Sequence, residues 1–391
     1  MIAPLAAAML AISLAPALDA STSPAPAAGT LIDAKRVKWY PALWFRIALR
    51  FVDLPGRFPV ETGARLYRVT YWTRDHRGEP ARATGLVATP NRGDPRAVVT
   101  YLHGTTTERS YVPSAPNVEG KLAAAIFAGA GYVVVAPDYL GLGGSESLHP
   151  YLHAESAVHA SVDLLRAAEA FLASSRIVWP ARQNILGVSQ GGHAAAALHR
   201  HLETLDAPGL TVRATATVAA PFDLAGVAFP FALAGTAGSH RVYLAGMVRA
   251  YSAIYDQPIG SVVREPYASQ LPGLFDGRHD NDVIGDALPK APREMFSDDF
   301  LAAWDRGEAT WLGAALERNE VFRWAPKAPM RLYYGELDED VSPEDSRRAA
   351  AEMRRRGGAA EAISVGDYEH AESAFQALAD IRAWFDALNP R

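Results

Sequence analysis

The sequence predicts an α/β fold with a mostly parallel sheet and one inserted, mainly helical segment. Apolar strand patterns alternate with helical patterns along most of the chain, as they do when helices connect parallel strands. The first two strand patterns flank a short polar turn and indicate an antiparallel hairpin. Residues 222–325 break the alternation, because they contain only short helical patterns rich in proline, glycine and aromatic residues.

The N-terminus has the composition of a targeting segment. Residues 1–20, MIAPLAAAMLAISLAPALDA, are apolar and end in small residues, which predicts a secretory signal peptide although no lysine or arginine precedes the apolar stretch. Residues 21–34 begin with the low-complexity STSPAPAAG and are interpreted as a linker. We therefore expect a secreted or periplasmic protein, and no later stretch is long and apolar enough to span a bilayer.

Composition excludes several kinds of chemistry. The chain has 391 residues, of which 49% are hydrophobic, so it can bury a large core. It contains no cysteine, which excludes disulfides, thiolate metal sites and a cysteine nucleophile. The net charge of −5 gives no reason to expect a nucleic-acid partner.

Residues 35–51 form a basic, aromatic segment with two interpretations. Tyr40, Leu43, Trp44 and the apolar residues that follow recur at helical spacing, which predicts a helix over 35–51. We expect its apolar face to pack against the body of the protein, as such faces usually do. The alternative is contact with a membrane or lipid surface, which suits a basic amphipathic helix.

The remaining elements follow in order along a core predicted over residues 35–221 and 326–391, with a helical cap over 222–325. Predicted strands occupy 64–75, 81–90, 97–104, 131–137, 184–188, 210–221, 329–338 and 360–367. Predicted helices occupy 121–131, 153–173, 191–202, 343–357 and 370–388.

Ser189 is the candidate nucleophile. It lies in Gly-x-Ser-x-Gly, between Gly187 and Gly191, after the strand NILGV and before an alanine-rich helix. A sharp strand–turn–helix connection of this kind exposes the serine hydroxyl, and small flanking residues let the strained turn close. The alternative, an ordinary turn serine that caps a helix, is less consistent with that context.

A serine nucleophile needs a base and an orienting acid, which follow it along the chain in this architecture. Of 11 histidines only His370 lies beyond residue 279, and it stands between the last strand and the last helix. Asp338 follows the strand that ends at Gly335 and is the preferred acid. Asp340 remains the reserve candidate, because a sequence does not show which way neighbouring loop side chains point.

The developing oxyanion needs two backbone N–H donors. We assign one to Gln190, directly after the nucleophile, and the other to Thr105, in the loop YLHGTTTERS after the third predicted strand. His103 in the same loop is interpreted as a buried, hydrogen-bonded residue rather than a second catalytic histidine.

Other polar motifs are assigned structural roles. His149 and His153 are spaced i,i+4, but a proline lies between them and the glutamate of the zinc-protease motif is absent, so no metal site is expected. Asp138, at a strand end, is expected to hold the glycine-rich loop that follows it. No metal or organic cofactor is required by the predicted chemistry.

Several motifs together resemble the α/β-hydrolase superfamily and, more narrowly, the secretory lipase family of lipase A-like enzymes and bacterial esterases. They are YLHGTT, GYVVVAPDYLGLGGSESLHPYLHAES, GVSQGG, YGELDEDVSP and DYEHAESAF, and the resemblance spans residues 60–391. It implies a secreted serine hydrolase with a helical cap over the acyl site. It also implies that Ser189 is the nucleophile, Asp338 the acid and His370 the base.

The sequence therefore predicts hydrolysis of carboxylic esters through an acyl-enzyme, with a small-molecule or lipid ester as substrate. Two alternatives remain open at this point. The same triad cleaves amide bonds in amidases and peptidases, where the amine must be protonated to leave. A catalytically silent protein with the same fold would instead use the capped pocket to hold a lipid.

Overall fold

The computed structural model describes residues 26–52, 54–204 and 209–390, and places nine strands of these residues in one sheet. The predicted signal peptide over 1–20 lies outside the described residues. The strands are β1 Leu31–Tyr40, β2 Ala64–Arg74, β3 Pro80–Pro90, β4 Val98–Leu102, β5 Val133–Pro137, β6 Arg182–Val188, β7 Thr211–Val218, β8 Met330–Tyr334 and β9 Ala360–Ser364.

The strand order is β1-β2-β3-β5-β4-β6-β7-β8-β9. Strands β1 to β3 pair antiparallel, as does β3 with β5, and every pair from β5 to β9 is parallel. Every residue of β4 and β5 is buried, because both faces of a central parallel strand are covered by helices. The predicted α/β fold with a mostly parallel sheet is thus confirmed.

Helices cover both faces of the sheet. One face is packed by α3, α4 and α11, and the other by α1, α2 and α12. The helices are α1 Ala42–Phe51, α2 Val118–Ile126, α3 Ala154–Ser174, α4 Gln190–Thr204, α5 Phe229–Ala234, α6 Gly238–Ile254, α7 Tyr267–Leu274, α8 Asn281–Ala287, α9 Asp298–Asp305, α10 Trp311–Arg318, α11 Pro343–Arg355 and α12 His370–Leu388. No helix among the described residues is long and apolar enough to cross a membrane.

The prediction for the N-terminal region was wrong in three respects. The linker assigned to 21–34 ends early, because Leu31 already begins an edge strand that pairs with β2. The helix assigned to 35–51 begins only at Ala42, since the hydrogen bonds to β2 and the extended Pro41 outweigh the helical periodicity of the preceding residues. Moreover, Leu43, Ile47 and Phe51 of the predicted apolar face are exposed, and α1 packs against the core through Phe45, with Ala42 and Leu49 partly buried beside it.

The helical insertion, residues 222–325, lies between β7 and β8. Helices α5 to α10 and short 3₁₀ and π turns make up its regular structure, and within its described residues it contributes no strand to the sheet. It has its own apolar core, built around side chains such as Phe229, Tyr251 and Phe296. It also contacts loops of the core, since the Thr107 hydroxyl donates to the His279 carbonyl at 2.8 Å.

The two connections between the helical insertion and the core lie side by side. The Val321 N–H donates to the Phe222 carbonyl at 3.2 Å, which joins the exit to the entry. The Asp345 carboxylate, from α11, accepts the backbone N–H groups of Phe222 and Asp223 at 3.1 and 2.9 Å. The buried Asp223 carboxylate in turn pairs with Arg348 at 2.8 Å.

We expect this junction to be weakened by rising pH through Glu320. Burial, together with the hydrogen bond and charge of Asp223, raises the pKa of Glu320 to about 7 from 4.5. A carboxyl whose pKa is higher in the folded than in the unfolded protein stabilises the fold fully at a pH below its unfolded pKa. This contribution to the free energy of unfolding is lost as the pH rises towards the folded-state pKa of about 7. Glu320→Gln keeps a hydrogen-bond donor and cannot ionise, so we expect it to be more stable than the wild type by about 1–2 kcal/mol at neutral to alkaline pH.

Urea unfolding of both proteins at about pH 4.5 and about pH 8 measures this difference. The two free energies of unfolding are expected to converge at the lower pH and separate at the higher one. An equal difference at both values would show that Glu320 does not titrate in this range.

Candidate active site

Ser189 lies in a strained turn between β6 and α4. Its φ is +54°, in the left-handed region that a non-glycine residue rarely adopts. The turn is held because the Ser189 N–H donates to the Val218 carbonyl and the Gly192 N–H donates to the Ser189 carbonyl, both at 2.8 Å. A strained backbone at this position keeps the hydroxyl clear of both the strand and the helix.

The glycines on either side are required by close backbone contacts. A Cβ atom on Gly187 would lie 2.0 Å from the Gly191 carbonyl oxygen. A Cβ atom on Gly191 would lie 2.0 Å from the Leu102 carbonyl oxygen at the end of β4. Neither position has room for a side chain, which explains the spacing of glycines around Ser189.

Three predicted residues form one chain of hydrogen bonds. The Ser189 Oγ and His370 Nε2 atoms are 3.0 Å apart, and His370 Nδ1 lies 2.9 Å from Asp338 Oδ2. His370 is the first residue of α12 and Asp338 follows β8, so the loops after three different strands supply the group. All three residues lie at the carboxyl-terminal edge of the parallel strands.

Asp338 and Asp340 point in different directions. The Asp338 carboxylate faces His370, and its Oδ1 also accepts the backbone N–H groups of Asp340 and Val341, each at 2.9 Å. The Asp340 carboxylate instead accepts a hydrogen bond from the Ser239 hydroxyl, in the helical insertion. The structure therefore pairs Asp338, and not the reserve candidate Asp340, with the histidine.

The surroundings of His370 set its protonation. Burial lowers the pKa of this imidazole, but the hydrogen bond and the charge of Asp338, with a further contribution from Asp340, outweigh burial and raise the pKa above its usual value. An imidazole next to a fixed carboxylate is thereby stabilised when it becomes positively charged. This is the electrostatic requirement for a group that accepts the proton of a serine hydroxyl.

The two predicted oxyanion donors flank the nucleophile. Gln190 is the first residue of α4, so its N–H has no partner within the helix. The loop before Thr105 passes Ser189, since a Cβ on Gly104 would lie 3.7 Å from the serine Cβ. This loop follows the fourth strand rather than the third, because β1 precedes the predicted hairpin.

Two further side chains support these loops, and the sequence analysis did not assign them that role. The Tyr151 hydroxyl lies 2.9 Å from the Thr105 hydroxyl. The Gln190 amide nitrogen lies 3.0 Å from His149 Nε2, and His149 Nδ1 lies 2.9 Å from the Leu140 carbonyl oxygen. Burial lowers the pKa of His149 to about 4, so this imidazole is neutral and accepts the amide hydrogen while donating to Leu140.

The other polar residues singled out in the sequence have structural partners. The buried Asp138 carboxylate accepts from the Thr84 hydroxyl at 2.6 Å, and Thr84 accepts the Gly144 N–H at 2.8 Å, which holds the glycine-rich loop. His103 Nδ1 contacts the Gly104 carbonyl oxygen at 2.8 Å, and His153 contacts the Ser156 hydroxyl at 2.8 Å. Among the described residues, no group of three or more histidine, aspartate or glutamate side chains could hold a metal ion.

A small pocket opens beside Thr105, between the core loops and the helical insertion. Its lining combines apolar residues, including Leu142, Val242 and Phe275, with Arg109 and Arg249. Arg109 donates to the carbonyl oxygens of Gly141 and Asp276, each at 3.2 Å. The pocket is thus partly polar and borders the candidate site at Thr105.

Comparisons with known proteins agree with this geometry. Residues 121–388 match the family described as secretory lipase. The rice cell wall degrading esterase LipA from Xanthomonas oryzae has a TM-score of 0.85 and 25% identity, over 93% of this chain and 100% of that chain. A protein of Legionella pneumophila has a TM-score of 0.86 and 26% identity, over 92% of this chain and 98% of that chain.

A more distant structure shares the fold. Candida antarctica lipase A in its closed state has a TM-score of 0.68 and 17% identity, over 93% of this chain and 84% of that chain. None of the curated proteins compared with the chain matches it in sequence.

Proposed function

The chain belongs to the secretory lipase family, and from this premise we propose that it hydrolyses carboxylic esters through an acyl-enzyme formed on Ser189. The observation that carries the proposal is the unbroken hydrogen-bond chain from the Ser189 hydroxyl through His370 to the buried Asp338. The esterase and lipase neighbours with the same α/β-hydrolase fold support this reaction class.

In the first half of the reaction, Ser189 Oγ attacks the ester carbonyl carbon while His370 Nε2 accepts the hydroxyl proton. Asp338 holds the imidazole with its Nδ1–H inward and stabilises the positive charge that develops on the ring. The backbone N–H groups of Thr105 and Gln190 bind the negative oxygen of the tetrahedral intermediate. The carbon–oxygen bond to the alcohol then breaks, and His370 returns the proton to the departing alkoxide oxygen.

In the second half, a water molecule attacks the acyl carbon of the Ser189 ester. His370 accepts a proton from that water, and the same two N–H donors hold the second tetrahedral intermediate. Collapse of the intermediate breaks the bond to Ser189 Oγ, which regains its proton from His370. The carboxylic acid leaves, so the balanced reaction is ester plus water to acid plus alcohol, without a cofactor.

The protonation of His370 predicts the pH dependence of turnover. Only the neutral imidazole accepts a proton, so kcat/KM for an uncharged ester should rise with pH and level off above the pKa of His370. Because Asp338 raises that pKa, we expect the midpoint above the usual value of 6.5. Initial rates across a buffer series measure the midpoint, and a midpoint clearly below the usual histidine value would contradict the assigned pair.

The pocket beside Thr105 is proposed to hold the acyl part of the ester. Because Arg109 and Arg249 line it, a long alkyl chain would bury these cations against hydrocarbon, which is unfavourable. We therefore expect turnover of 4-nitrophenyl esters to peak at acetate or butyrate and to fall for octanoate and palmitate. A maximum at palmitate, dependent on Ser189, would assign the acyl chain to a different path.

We extend the proposal to export from the cell. The family is described as secretory, which suggests an extracellular protein. The predicted signal peptide over residues 1–20 would direct the export of the chain.

A further inference from the structure

Exposed apolar side chains are concentrated in one short N-terminal region. Among the described residues, 13 large hydrophobic side chains are exposed, and seven of them lie between residues 32 and 52. Ile32 lies at the far end of β1 from the others, and we refer to the remaining six as the N-terminal patch: Trp39, Leu43, Trp44, Ile47, Phe51 and Val52. Scattered apolar residues are normal on a protein surface, whereas a contiguous patch marks an interaction site.

Helix α1 presents its apolar stripe to solvent. Leu43, Ile47 and Phe51 are spaced i,i+4 and therefore lie on one face, where they are 64%, 48% and 86% exposed. Phe45 lies on the opposite face, is fully buried, and packs beside Val60, which fixes the helix to the core. The orientation of the stripe is therefore set by a well-packed anchor and is not the result of a loosely attached helix.

The strand before the helix extends the patch. Trp39, on the edge strand β1, is 54% exposed, and the next residue, Tyr40, stacks on Trp44 with ring centroids 4.2 Å apart. This stacking, across the bend at Pro41, holds the strand and the helix as one surface. Indole rings at the border of an apolar surface are typical of side chains that lie at a membrane–water interface.

Positive charge surrounds the N-terminal patch. Five exposed cations lie in the same region, namely Lys35, Arg36, Lys38, Arg46 and Arg50, whereas residues 31–53 contain only two acidic residues, Asp33 and Asp53. Arg46 donates to the Val60 carbonyl oxygen at 2.9 Å. Within the described ranges, no ion pair is formed by Lys35, Arg36, Lys38 or Arg50.

We propose that the N-terminal patch binds the surface of an anionic lipid bilayer. The stripe of α1 and the two tryptophans would enter the boundary between headgroups and acyl chains, and the flanking lysines and arginines would contact lipid phosphates. Apolar burial and attraction to anionic headgroups together determine the strength of such binding. The long stems of lysine and arginine also allow their charges to remain at the headgroups while their carbons cover apolar surface.

The charges on the patch argue against other occupants. In a symmetric dimer built on this face, the same five cations would be brought towards their copies, which is unfavourable without intervening anions. Residues 1–25 are apolar but contain one acidic side chain, Asp19, and so offer too little charge to match the cations. A bilayer with anionic headgroups offers an apolar interior to the exposed apolar side chains and negative charge to the cations.

Vesicle co-flotation of the full chain tests the proposal. We expect binding to phosphatidylcholine vesicles that contain about one-third phosphatidylglycerol, and at least about tenfold weaker binding to phosphatidylcholine alone. Ile47→Ser/Phe51→Ser should weaken the binding at least about tenfold by removing apolar contact. Lys38→Glu/Arg50→Glu should abolish the preference for the anionic vesicles, and added salt should reduce it in the wild type.

Val178→Ser/Val283→Ser is the matched control, because both valines are exposed and lie outside the patch. This control should bind as the wild type does, and circular dichroism melting should show that every variant is folded. Absence of wild-type binding to anionic vesicles, or equal loss in the control and in Ile47→Ser/Phe51→Ser, would overturn the proposal. So would a concentration-dependent dimer, seen by sedimentation without vesicle binding and lost in Ile47→Ser/Phe51→Ser. None of these readouts depends on ester hydrolysis.

Discussion

Replacing Ser189 with alanine is expected to lower kcat/KM for 4-nitrophenyl butyrate by a factor of about 10⁴ to 10⁶. The variant lacks the oxygen that attacks the ester, while the oxyanion donors and the pocket remain. Loss of one member of a triad removes nearly all of its contribution, because the residues act as a unit. Alanine is smaller than serine, so the turn between β6 and α4 should keep its geometry.

Initial rates and covalent labelling measure this effect together. A fluorophosphonate should label the wild type and leave Ser189→Ala unlabelled. Ser269→Ala, which changes an exposed serine of α7, is the control and should keep full activity. Wild-type rates in Ser189→Ala would disprove the proposed mechanism. A wild type that binds esters without labelling or turnover would favour the lipid-binding alternative, and amide turnover above ester turnover would favour an amidase.

Asp338→Asn is expected to lower kcat by a factor of about 10³ to 10⁴. The amide nitrogen of asparagine would donate to His370 Nδ1, so the ring would carry its proton on Nε2, where it cannot accept one from Ser189. The change also removes the charge that raises the pKa of His370, so the pH midpoint of the remaining activity should fall.

Asp340→Asn provides a matched control, since it removes a carboxylate two residues away that bonds Ser239 rather than His370. We expect a loss of no more than about tenfold from this change, since only a more remote charge is lost. A larger loss in Asp340→Asn than in Asp338→Asn, measured in the same assay, would reverse the assignment of the acid.

The parallel part of the sheet could be predicted because its strands are short segments of five to eight residues that alternate with clear helices, and β5 is a continuous apolar run. The N-terminal strand could not, because residues 35–40 mix cations with aromatic residues and have no alternating pattern. Its extended backbone depends on hydrogen bonds to β2, a tertiary contact that local periodicity does not report. The burial of Phe45 then sets the orientation of α1, whose apolar stripe faces solvent against the usual expectation.

Within the candidate site, the glycine spacing and the placement of one histidine after residue 279 were enough to nominate Ser189 and His370. The choice between Asp338 and Asp340 depended on side-chain direction. The two residues are close neighbours in one loop, but their carboxylates point in different directions, and the sequence does not show this. The contacts of Tyr151 with Thr105 and of His149 with Gln190 join residues that are 46 and 41 positions apart in sequence. No periodic pattern links such loops, so only the folded chain shows that these residues contact Thr105 and Gln190, the proposed oxyanion donors.

The adjoining entry and exit of the helical insertion have an evolutionary consequence. The chain leaves β7 and returns to β8 at points joined by one backbone hydrogen bond, and β7 and β8 pair directly with each other. The segment between these two points is therefore an insertion, and its length does not alter the register of the sheet. Helices can therefore be gained, lost or exchanged there without changing the strand pairing that positions Ser189, Asp338 and His370 at the sheet edge.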